Sequence, residues 1–172
     1  GSEMCKETGL AHEGVARIVY DGVLPLRHSS TEGRFKDAAF RIVGLGSGFT
    51  PSGDDALGGF LAAYNSLAPT IGRSRISLPF VSLETKTSWI SAKLLDYMQR
   101  LILDDQICRV IDSAAEGSED ALVLALETLL PRGHTSGIDI SAGVVLALSL
   151  IRDVAFEEEE TESIANMLGL SL

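Results

Sequence analysis

The sequence predicts a mainly α-helical chain folded as a single compact domain of about eight helices. Three observations carry this. Apolar residues recur at i, i+3 and i+4 along most of the length, the period of a helix with one buried face. Aromatic residues are only 6% of the chain, so its core must be built from Leu, Ile, Val and Ala. Five prolines in 172 residues leave long stretches unbroken. The 45% hydrophobic content suits one domain with a sizeable core.

Each element follows from its pattern. Residues 1–9 read as a disordered leader, with Gly1-Ser2 a cloning remnant, and residues 10–172 as the helical domain. Residues 10–23 form a short helix with Ala11, Val15, Ile18 and Val19 on one face. Pro25, two serines and a glycine make 24–33 a connector. Phe35, Ala38, Ala39 and Ile42 mark a helix over 35–43. A glycine-rich loop interrupts, and 54–67 is then apolar almost all round, so this helix is expected to be central and buried. Residues 69–79 are irregular, and 80–83 reads as one short β element or as an extended approach to the next helix. Helices follow over 88–103, 105–115 and 119–130, with Gly117 ending the second and Ser118 capping the third. Residues 131–137 break the pattern again. A strongly apolar helix over 139–151 and a terminal amphipathic one over 161–168 complete the count.

The charge narrows the partners. A net charge of −10 disfavours nucleic acid, whose phosphates are bound by clustered Lys and Arg. The block Glu157, Glu158, Glu159, Glu160 and Glu162 reads as a solvated helix start or tail. No run of about 18 apolar residues exists, so no membrane partner is expected. Cys5 lies in a polar leader and Cys108 in an apolar-periodic run, which fits two thiols in a reducing cytoplasm, a disulfide being the alternative.

The chemistry concentrates in two loops. The first is Gly44-Leu45-Gly46-Ser47-Gly48-Phe49-Thr50-Pro51-Ser52-Gly53-Asp54-Asp55, four glycines and then two adjacent carboxylates at a helix start. The second contains His134-Thr135-Ser136-Gly137-Ile138-Asp139. Both fit Ser-Gly-x-Asp-x-x-x-Gly, ending at Gly59 and Gly143, and both run into an apolar helix. Glycine permits tight turns and close approach of backbone N–H groups to a ligand. A helix N-terminus adds unpaired donors and partial positive charge, which suits phosphate or carboxylate. The competing reading is ordinary: Ser and Asp are common N-caps, and glycine is ordinary loop punctuation. Paired carboxylates at Asp54 and Asp55 admit a Mg²⁺ ion, acid–base work, or hydrogen bonds to an amide or ureido group. His134 would serve as a proton or oxyanion donor, or simply pack in its loop. The loop ends without the lysine of a Walker motif and lacks the dinucleotide spacing.

With Thr85-x-Thr87-x-x-x-Ser91-x-x-Leu94-Leu95, these motifs resemble the domain-of-unknown-function family 2877, which includes the AllH-type subunit of oxamate carbamoyltransferase. The resemblance spans roughly residues 39–148. Ser47 and Phe49 stand where the family often has proline and leucine. Members are generally longer at the N-terminal side, so the chain is expected to be a fragment, a truncated member or half of a split protein. The resemblance implies phosphorolysis of oxalurate to oxamate and carbamoyl phosphate, or the reverse, in company with other protein subunits.

The expectation for the site follows. Gly46, Gly48, Thr50, Ser52 and Gly53 would cradle a small anion, with Thr135, Ser136 and Gly137 contributing from the second loop. Asp54, Asp55, His134 and Asp139 would be catalytic, and Asp54 and Asp55 the candidate Mg²⁺ ligands. A non-catalytic binding or regulatory subunit, and a Mg²⁺-dependent phosphotransferase, stand as alternatives.

Overall fold

The computed structural model describes residues 32–168. The leader, the helix expected over 10–23 and Cys5 lie outside the described residues. Within them the chain is helical, with seven α-helices: α1 (Glu32–Ile42), α2 (Ser52–Leu67), α3 (Phe80–Glu84), α4 (Trp89–Gln99), α5 (Asp105–Ala115), α6 (Glu119–Leu129) and α7 (Ser136–Leu168). A 3₁₀ turn, Ala68–Ile71, extends α2 and stops at Gly72, whose φ of 66° opens the left-handed region.

α2 is the central element. Every residue from Gly53 to Asn65 is buried, as its all-round apolar pattern requires. α7 lies along it and makes the most extensive contact in the fold, with α4 packed beside α2. α1 runs back along α2, placing the Phe35 ring 5.2 Å from that of Phe60. α5 and α6 pack on each other next to this layer. Leu57, Phe60, Leu61, Leu95, Val110, Leu129 and Val144 fill the shared core.

Three expectations change. Residues 80–83 are helical, and no strand occurs among the described residues. The Pro79 carbonyl accepts from Ser82 and Leu83, starting a turn that buries Leu83 and leaves Val81 in solvent. The helix expected over 88–103 stops at Gln99, because Leu101 turns left-handed at φ 62° and Ile102 N–H returns to the Tyr97 carbonyl. The two helices expected over 139–151 and 161–168 are one, since residues 152–160 contain neither Gly nor Pro to break the ladder.

Residues 73–79 are extended yet have no strand partner, and two side-chain amides take that role. Asn65, fully buried, accepts from Ile76 N–H and donates to the carbonyls of Ile76 and Gln99. Gln99 accepts from Leu78 N–H at 2.7 Å and donates back to the Leu78 carbonyl at 3.0 Å. The segment is thereby fixed to the C-terminal ends of α2 and α4, with the buried backbone groups of Ile76 and Leu78 satisfied.

Candidate functional site

α2 and α7 run parallel, with their N-termini side by side. The glycines that end the two loop motifs permit this. A Cβ on Gly59 would lie 2.1 Å from the Ile140 carbonyl oxygen, and one on Gly143 only 1.9 Å from that of Ala56. The contact is reciprocal: the step along the chain from Ser52 to Ser136 also takes Ala56 to Ile140 and Gly59 to Gly143. What approaches each helix closely at this glycine is therefore the other helix. Gly53 and Gly137 serve a related purpose, since a Cβ at either would strike the carbonyl of Ile42 or Leu129. Their N–H groups donate to the carbonyls of Leu45 and Arg132.

The paired N-termini bring the two loops into contact. Thr50 Oγ1 donates to Asp55 Oδ2 at 2.9 Å and lies 3.2 Å from Ser136 Oγ. Asp55 and Asp139 are both buried there, each the fourth residue of its motif. Burial pushes the Asp55 carboxyl above its ordinary value, hydrogen bonds from Ser136 and Thr50 oppose this, and the Asp139 and Asp54 charges add to the rise. A buried carboxyl of raised proton affinity, oriented by two hydroxyls, has the environment of a general acid or base.

Asp54 has a different environment from its neighbour. Its Oδ1 accepts from Gly44 N–H at 2.7 Å, and its Oδ2 accepts from Ser91 Oγ at 2.6 Å and from Thr87 Oγ1. Gly44, at φ 80°, sits so close to the Lys86 carbonyl that a Cβ would fall 2.2 Å from that oxygen. Asp54 thus ties the glycine-rich loop to the start of α4 and gives Thr87 and Ser91 of the middle motif their role. Both of its oxygens accept from protein donors. Among the described residues no cluster of three or more His, Cys, Asp or Glu side chains has the arrangement of a metal site.

Thr50, Asp55 and Ser136 open into a cleft of about 400 Å³. Arg132 and Gly133 line its side, and the Arg132 guanidinium is ion-paired with Asp104 Oδ2. Asp104 also caps α5, its Oδ1 accepting from Ile107 N–H at 3.1 Å. Leu94, Tyr97, Met98, Ile102, Leu103, Ile107 and Ile140 form an apolar wall. Of the other expected site residues, Gly46 and Gly48 lie exposed on the first loop at φ 114° and Ser52 is half-buried. The Thr135 main-chain carbonyl accepts from Asp139 N–H at 2.9 Å. His134 is exposed and is not among the residues lining the cleft. Arg132 and Asp104 were not singled out by motif reasoning; the signal available was an arginine within the second breaker loop.

A sequence model of a known family, described as oxamate carbamoyltransferase subunit AllH, matches residues 42–148. The chain belongs to the AllH family. The AllH match begins at the end of α1 and runs into α7, so it takes in both loops, the Thr87–Ser91 segment and every residue lining the cleft. It also meets the resemblance read from the motifs. No curated protein and no solved structure matches the chain. None of the helices among the described residues is long and apolar enough to cross a membrane.

Proposed function

We propose that the chain is a subunit of a carbamoyltransferase acting on small anionic amides, and that the cleft at Thr50, Asp55, Ser136 and Arg132 is its share of the active site. The observation that carries this reading is the Thr50–Asp55–Ser136 constellation joining two loops beside an arginine. In phosphorolysis of oxalurate, a phosphate oxygen attacks the ureido carbonyl carbon and the bond from that carbon to the oxamate nitrogen breaks. Carbamoyl phosphate forms, and the departing nitrogen needs a proton. Asp55, whose proton affinity burial raises, donates it; in the reverse direction the carboxylate takes a proton from the oxamate amide. Thr50 and Ser136 hold Asp55 in position. The planar guanidinium of Arg132 matches the oxamate carboxylate, exchanging Asp104 for it. Asp54 acts by positioning the loop, and Asp139 by favouring the protonated form of Asp55.

The test is Asp55→Asn in the complex with the transferase's other subunits. Carbamoyl phosphate release from oxalurate and phosphate falls by about 10²–10⁴-fold, with assembly and helix content unchanged. Normal turnover would end the assignment.

A further inference from the structure

We infer that the cleft is completed by a second, basic protein subunit that docks on the apolar rim formed by Phe49, Trp89, Ile90, Leu94, Tyr97 and Ile102. This inference rests on the reading of the cleft as a carbamoyl-transfer site. Phe49 is 72% exposed and Trp89 62%, and Ser88 Oγ reaches the Phe49 carbonyl at 3.5 Å, so the loop that carries Phe49 lies against the start of the helix that carries Trp89. Ile90, Leu94 and Tyr97 continue as one stripe of α4, and Leu94, Tyr97 and Ile102 also line the cleft. The rim and the site are therefore continuous. Water-exposed aromatic and aliphatic side chains in one patch are the signature of a docking surface.

Charge decides what kind of partner fits. Among the described residues lining the cleft, Arg132 is the single cation, and Asp104 already neutralises it. Asp55 lies in the floor with Asp139 beside it. Lys93 of α4 and Arg100 just beyond its end are turned to Asp96, Lys93 also resting on the Phe80 and Tyr97 rings, and neither lines the cleft. One arginine can take the oxamate carboxylate, but the phosphate must also be held, and no second cation is among the described residues lining the cleft. Its counter-charges have to enter from outside. A partner that covers the rim and inserts Lys or Arg side chains supplies them, and excludes water from the carbamoyl group.

The experiment uses the full chain and its complex with the remaining transferase subunits. Trp89 is the only tryptophan, so acrylamide quenching of the isolated chain should report an exposed indole. A shielded Trp89 would mean that a second copy or the chain's own N-terminal residues cover the rim, and overturns the inference. Phe49→Glu and Trp89→Glu, both outside the cleft, should each weaken association with the other subunits by about 30-fold or more. Unchanged association with both variants overturns it. Carbamoyl phosphate titrated into the isolated chain should give no measurable heat, and into the complex should bind; equal binding overturns it again. Failure of the functional reading is distinct: a wild-type complex that assembles but neither makes nor consumes carbamoyl phosphate removes the reaction, while loss of association with Trp89→Glu still locates the interface.

Discussion

Gly143→Ala sets two effects of opposite sign against each other at the closest point of the molecule. In an exposed helix, replacing glycine by alanine gains about 1 kcal/mol through backbone entropy. Here the new Cβ would lie 1.9 Å from the Ala56 carbonyl oxygen and 2.7 Å from Phe60 N, whereas ordinary contact begins at 3.4 Å. Both obstacles are backbone, so rotamer changes cannot relieve them and α2 and α7 must separate by about 1.5 Å. A gap of that order forfeits half or more of the dispersion contact between Leu57, Phe60 and Leu61 on one side and Ile140 and Val144 on the other. Overpacking of this kind costs about 3 kcal/mol at the upper end of the usual range, leaving a net loss of about 2 kcal/mol. For a chain of 172 residues that lowers Tm by about 4–8 °C. Thermal and urea unfolding followed by far-ultraviolet circular dichroism measure it. Because Gly59→Ala opens the same interface, the double variant should lose less than the sum of the singles. A Tm at or above wild type for Gly143→Ala would refute the close parallel packing on which the site's geometry depends.

Removing Thr87 Oγ1 or Ser91 Oγ leaves Asp54 a buried acceptor short of a donor, so Thr87→Val and Ser91→Ala should each cost about 1.5–3 kcal/mol in urea unfolding. Stability equal to wild type in both would remove Asp54 from its positioning role. Asn65→Ala leaves the Ile76 N–H and two carbonyls unpaired in the interior, a loss of about 3 kcal/mol and a Tm about 6–12 °C lower. Loss of only a few tenths of a kcal/mol would show water reaching them. Asp55 carries a pH signature. Its folded pKa is raised above 3.8, so the folded state holds more protons than the unfolded one as pH rises through that window, and stability falls. Asp55→Asn lacks this fall, so its Tm should improve relative to wild type between acid and neutral pH; a difference independent of pH would contradict the raised proton affinity.

Much of the fold can be read from periodicity, because α2 must be buried when no face of it is polar. The ends are harder. Leu101 in the left-handed region is invisible to a pattern that continues apolar through Leu103, and the joining of the last two helices depends on the absence of a breaker across nine polar and apolar residues alike. In the site, the two-loop repeat was legible, and its loops do meet. The repeat's glycines and Asp54 were open to a ligand-binding reading because sequence shows which backbone can be approached, not by what. Here the neighbours are the facing helix and the protein's own N–H and O–H groups. Arg132 and Asp104 are far apart in sequence with no shared motif, so only tertiary packing reveals them as a pair.

The reciprocal packing of α2 and α7 has a consequence for how a ligand is oriented. Two equivalent helix starts related by a local dyad offer any small, flat molecule two ways round, and an enzyme that must protonate one particular nitrogen would waste half its encounters. The halves match at Ser52 and Ser136, Gly53 and Gly137, Asp55 and Asp139, and Gly59 and Gly143, but Asp54 corresponds to Ile138, and Arg132 to Gly48. Arg132, the single cation among the described residues lining the cleft, breaks this pseudosymmetry, and under the proposed function it decides which way round the substrate lies.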